Sequence, residues 1–68
     1  MNLKVLECEH NDKKFVIKED YPEIGAYLYV YKENKCIEDY LQNDIHICKI
    51  IAFEEFNVPM DKWELVSK

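Results

Sequence analysis

The sequence predicts a small α+β protein: an antiparallel β-meander of about four strands, one helix packed on one face, and a short C-terminal strand. Three observations carry that reading. Residues 26–32, AYLYVYK, alternate strictly, with Ala26, Leu28 and Val30 on one side and Tyr27, Tyr29 and Tyr31 on the other. Residues 44–56, DIHICKIIAFEEF, are the one stretch whose apolar spacing fits a helix. Turn residues fall between the remaining apolar runs at hairpin spacing, His10 to Lys13 and Glu33-Asn34. At 68 residues the chain forms a single domain, 1–68. A domain this short buries only about 60% of its unfolded surface, so its core has little to spare.

Taken in order, Met1 to Glu9 reads as the first strand, with Leu3 and Val5 on one face. Leu6 and Cys8 then follow on the opposite parity, which predicts a bulge or burial on both faces. Lys14 to Lys18 is a second strand pointing Phe15 and Ile17 inward. Glu19 to Gly25 is a loop stiffened by Pro22, and Gly25, the only glycine, is expected at positive φ. Residues 26–32 form the third strand, and Cys36 to about Leu41 returns as the fourth.

Asp44 is a good N-cap for the helix, since its carboxylate can accept from an amide of the first turn. Asn57 suits a left-handed stop, and Val58-Pro59 closes the exit because proline cannot continue a helix. At about 100° per residue, Ile45, Cys48, Ala52 and Phe56 share one face, with Ile51 at its edge. That stripe is expected on Leu28 and Val30. Ile47 and Ile50 lie on the outer side, where the tail around Met60 and Trp63, or a second subunit, would have to cover them. Trp63 to Val66 is short enough for a fifth strand at an edge.

Several of these stretches together resemble a family of short acidic bacterial proteins: YLYVY, the CIEDYLQ strand entering the helix, and a helix ending EEFNVP before a tryptophan. In that family the helix ends Glu-Glu-aromatic-Gly-Val, so Asn57 stands here in the place of a glycine. The similarity covers roughly residues 25 to 65. Its motifs are structural, and with no activity assigned to the family it implies a fold and no chemistry.

Composition excludes more functions than it suggests. The chain carries nine lysines, no arginine and fourteen acidic residues, a net charge of −5. Nucleic-acid readers rely on arginine forks, and an acidic surface repels a polyanion, so nucleic acid is not an expected partner. The same charge steers the protein towards a basic protein partner. No segment approaches the ~18 apolar residues of a membrane span, and no charged-then-apolar leader opens the chain, so a cytoplasmic protein is expected. Three cysteines, Cys8, Cys36 and Cys48, are an odd and sparse set that reads as free thiols in a reducing compartment.

Catalytic and metal constellations are weak. Cys8 and His10 could share a strand face, but His46 and Cys48 stand about 200° apart on a helix and cannot hold one ion. Ser67 is the only serine, near the terminus, and there is no threonine. The acidic pairs Glu19-Asp20, Glu38-Asp39 and Glu54-Glu55 read as solvated charges. With one glycine there is no phosphate-cradling loop, and a single helix layer leaves little room for a pocket of a few hundred Å³. No metal, no cofactor and no catalytic residue is therefore expected.

What remains is surface. Tyrosine is enriched at protein interfaces because each ring offers area and a hydroxyl at low entropic cost. The expectation is a non-catalytic protein–protein binding module, inhibitor-like or immunity-like by analogy of size and charge, using Tyr27, Tyr29 and Tyr31 with Ile47 and Ile50 as candidate interface residues. Two other classes compete with it: a structural homodimer without a separate client, and a small metal or redox protein resting on the cysteines.

Overall fold

The computed structural model describes residues 3–67, Ser67 by its backbone alone. Five strands and one helix follow in the order β1 (Val5–His10), β2 (Lys13–Glu19), β3 (Ala26–Lys32), β4 (Lys35–Gln42), α1 (Ile45–Phe56) and β5 (Glu64–Ser67). The strands make one antiparallel sheet in the order β4-β3-β2-β1-β5. The meander, the single helix and the short final strand are all present. The part of the first strand expected at Met1 and Asn2 lies outside the described residues. No helix among the described residues is long and apolar enough to cross a membrane.

Both tight hairpins turn where the sequence marks them. Asn11 and Asp12 hold φ of 52° and 65°, and Glu33 and Asn34 hold 52° and 66°. Two consecutive left-handed residues match the right-handed twist of the flanking strands, and Asn and Asp tolerate that geometry best. Gly25 sits at φ 117°, a region only glycine enters freely. Its loop is tied by Asp20 N donating to Gly25 O at 2.8 Å and Gly25 N donating to Tyr21 O at 2.9 Å.

At the helix start, Asp44 Oδ1 accepts from Ile47 N at 2.9 Å. At its end Asn57 is left-handed (φ 61°), its amide returning to Phe53 O at 2.9 Å and that of Val58 to Ala52 O at 3.2 Å. That turn drives Val58 into the core, where it is fully buried. The sequence suggests Val58 only as an exit, whereas the left-handed closure makes it an anchor.

Registers assign the faces. Val30 pairs with Phe15 and Phe15 with Cys8, while Leu28 pairs with Ile17 and Ile17 with Leu6. These six side chains face the helix and form the core with Ala26, Cys48, Ala52 and Val58. In β1 the inward row is therefore Leu6 and Cys8, with Val5 on the opposite face. The irregularity expected there exists as a register shift between Val5 and Leu6 in the pairing with β5. Ile45, Ile51 and Phe56 pack against the core from the helix, as the periodicity predicts.

The helix does not sit on β3 alone, however; it contacts β2, β3 and β4. Phe56 meets Phe15 of β2 edge-on, ring centroids 5.3 Å apart. Trp63 approaches the same Phe15 at 6.4 Å, also edge-on. Trp63 is thus committed to the core beyond the end of the helix, whereas Met60 is exposed. Ile47 and Ile50 are half-buried and stand outside the core cluster. The large apolar residue that the helix leaves in solvent is Phe53, 51% exposed.

Candidate functional site

The face of the sheet opposite the helix is built by strand alternation. Since Ala26, Leu28 and Val30 face the helix, Tyr27, Tyr29 and Tyr31 face away from it. Their cross-strand partners on β2 are Lys18, Val16 and Lys14, and on β4 they are Leu41, Asp39 and Cys36. Glu7 and Glu9 of β1 complete the rows beside Val16 and Lys14. All three tyrosines are half-buried.

The rings stack along the strand. Tyr27 and Tyr29 lie nearly parallel at 5.9 Å, and Tyr29 and Tyr31 are tilted at 6.4 Å. Lys18 Nζ stands 5.7 Å from the centre of the Tyr29 ring, a contact worth about 0.5–1 kcal/mol at an exposed site. Lys14 Nζ pairs with Glu7 Oε1 at 3.4 Å. Both lysines of this face are thereby engaged by its own side chains. Partial burial pushes the Tyr29 phenol up, helped by Tyr27, Tyr31, Asp39 and Cys36, so it remains a neutral donor near pH 7. Tyr40, on the helix side of β4, is also raised, by burial first, then by Glu38, Glu55 and a hydrogen bond to Glu38.

Two features of this face are not apparent from the sequence. Val16, directly opposite Tyr29, is only 6% exposed, so the tyrosines and the Glu7–Lys14 pair close over a small second apolar layer. An open trough of about 770 Å³ also runs past Val5, Val16, Lys14, Lys18 and Tyr31 towards the two hairpin turns. The sequence suggests little room for a pocket of a few hundred Å³, and the hollow that does form is this open trough. Twist of the five-stranded sheet and the small Val16 between longer neighbours make it.

The candidate site residues do not form one surface. Tyr27, Tyr29 and Tyr31 are brought together on the sheet, while Ile47 and Ile50 lie on the helix on the other side of the core.

The thiols, imidazoles and acidic pairs of the chain lie elsewhere. Cys8 is buried and its thiol is pushed up to about 11 by that burial, against the pull of Lys62. His10 Nδ1 accepts from Lys62 Nζ at 3.1 Å. Cys48 is buried and donates to Ala26 O at 3.6 Å, while His46 is exposed. Burial, then the charge of Asp44, raises the Cys48 thiol to about 11. Cys36 is exposed and donates to Glu38 O at 3.4 Å. Glu19 and Asp20 accept from the amides of Lys4 and Tyr21 at 3.0 and 2.8 Å. Ser67 pairs opposite Val5 in β5. Among the described residues, no group of three or more His, Cys, Asp and Glu is placed to hold a metal ion.

No family model, curated protein or solved structure matches the chain. The resemblance over residues 25–65 therefore rests on its motif residues, among which Asn57 does take the left-handed conformation a glycine would hold.

Proposed function

We propose that this is a non-catalytic protein–protein binding module of the cytoplasm whose contact surface is the sheet face carrying Tyr27, Tyr29 and Tyr31. The observation that carries the reading is the stacked tyrosine row itself. Three rings are held at fixed spacing on a face that no described element covers, beside an open trough. Rings stacked on one another turn their faces inward to the row and offer edges and hydroxyls to a partner. Base stacking needs an open ring face, so the arrangement suits protein rather than single-stranded nucleic acid. Both lysines of the face are engaged internally and the chain is acidic, which favours a basic partner. Three unbridged cysteines, two of them buried, agree with a reducing compartment.

The test is Tyr29→Ala, the central ring. Affinity for a client copurified from the native cells should fall by about 2 kcal/mol or more, as at an interface hot spot. Melting temperature should fall less, since Val16 beneath is the only buried side chain opposite that ring. Unchanged affinity removes the tyrosine face from consideration. A second reading, a homodimer without a client, is favoured by Phe53, 51% exposed beside half-buried Ile50 on the outer helix. Sedimentation of wild type against Phe53→Glu decides it: only a dimer joined there is lost in the variant.

A further inference from the structure

We infer that the free edge of β4, over Glu38–Gln42, takes an extended basic segment of the partner by strand addition, enlarging the tyrosine sheet by one strand. This rests on the protein-binding reading above and names how the partner is held. β4 is the outermost strand, bonded to β3 on one side only. Its other contacts with described strands and helices are with α1, which packs on the core side of the sheet, so no described strand pairs with its outer edge. Six of its eight residues are exposed, Leu41 at 54% and Ile37 at 44%. An edge of this kind presents unpaired amides and carbonyls, the template used in β-augmentation.

The charges on β4 choose the occupant. If two copies paired antiparallel over Glu38–Gln42, Glu38 would face Gln42, Asp39 would face Leu41 and Tyr40 would face its own copy. Self-pairing would then leave the carboxylates of both copies without a cation, whereas a basic strand would neutralise them. Neither carboxylate has an ion-pair partner among the described residues. The bulge at Ile37, where the register shifts between Val30 and Tyr31, further restricts regular pairing to Glu38–Gln42. A lysine- or arginine-bearing strand supplies the cations that these carboxylates lack.

Register then dictates a pattern. Along an antiparallel guest read from its N-terminus, an aliphatic residue faces Leu41, any strand former faces Tyr40, and basic residues face Asp39 and Glu38. The aliphatic residue and the first basic residue emerge on the tyrosine side, next to Tyr27 and Tyr29. The second basic residue emerges on the helix side with Glu38.

The probe is a labelled peptide, acetyl-Gly-Thr-Val-Thr-Arg-Arg-Gly-amide, titrated into the intact protein by fluorescence anisotropy and by ¹H–¹⁵N NMR. Saturable binding is expected, with amide shifts concentrated in Glu38–Gln42. Glu38→Lys with Asp39→Lys should weaken it about tenfold or more. The same peptide N-methylated at its valine and at its second arginine, one of which faces β4 whichever edge the guest presents, keeps its charge but loses a main-chain donor, and should bind about tenfold more weakly or not at all. Equal binding of the methylated peptide, no binding of either peptide, or dimerisation through β4 overturns the inference. Shifts confined to Tyr27, Tyr29 and Tyr31 also overturn it, yet leave the tyrosine-face reading standing. That reading is judged separately, by the effect of Tyr29→Ala on the native client.

Discussion

Replacing Gly25 with alanine should be among the most damaging single changes in the chain. Two costs add at that position. Its φ of 117° is one that L side chains rarely adopt, and holding a residue there costs about 1–3 kcal/mol. The added Cβ would also clash with the carbonyl oxygen of Gln42, with Gln42 C at 3.1 Å and Asn43 Cα at 3.3 Å. These are backbone atoms at the junction of β4 and α1, so no side chain can swing away. Either the start of β3 or the end of β4 must move, and overpacking of that kind costs about 1–3 kcal/mol. Together they amount to about 2–6 kcal/mol, against a total of roughly 3–10 kcal/mol for a domain of this size. Urea denaturation followed by Trp63 fluorescence and far-ultraviolet circular dichroism measures the loss. The midpoint should fall sharply while the slope stays constant, since the surface exposed on unfolding is unchanged. A loss below about 1 kcal/mol would show that the Gly25 loop yields freely and that the close approach to Gln42 is not a constraint.

Other perturbations test the core and the thiols. Phe15→Ala should cost about 3–5 kcal/mol, and more than Phe56→Ala, because Phe15 is fully buried and receives both Phe56 and Trp63 while Phe56 is half-exposed. The same urea titration ranks the two, and a reversed order would mean that the helix end carries the core instead. An aromatic disulfide reagent should label Cys36 quickly and Cys8 and Cys48 only at the rate of opening. The two buried thiols hold their protons up to about 11 in the fold, against 9.0 as the ordinary value. The unfolded chain therefore loses those protons first, and stability should fall as pH rises from about 9 to about 11. Serine at both positions should flatten that decline.

Legibility of the fold from the sequence followed the strength of each local signal. Tyr27, Tyr29 and Tyr31 sit in a strict alternation between two turns, and nothing non-local competes with it. Asp44, Asn57 and Gly25 are capping and turn residues whose geometry is set within a few neighbours, and each adopts the conformation its chemistry favours. Val16 was hidden because Phe15, Val16 and Ile17 are apolar in succession, and a period of two assigns only the outer pair to a core. It is buried because β2 is the central strand, flanked on both sides, a fact of topology. Ile47, Ile50 and Phe53 were ambiguous because the helix is apolar nearly all round. Periodicity then finds the face with the smallest residues, Cys48 and Ala52, and cannot grade the rest. Trp63 carries no local cue to Phe15, since that contact depends on where β5 returns. The trough and the bare β4 edge are likewise products of strand order.

The placement of β5 has a consequence for how the molecule assembles. β1 to β4 form three successive hairpins, each closed by a short loop, and α1 follows directly from β4. These contacts are local, so they can form early and quickly. β5 alone crosses from the end of the chain to β1, with Val5 opposite Ser67. Once the helix is seated, only residues 57–63 must be spanned, and closing so short a loop costs little entropy. The final strand should therefore arrive last and also leave first. During that interval β1 stands as a second raw edge, with Leu6 and Cys8 uncovered at the rim of the core. The nascent chain is then most exposed to intermolecular pairing before four residues, Glu64–Ser67, fall into place.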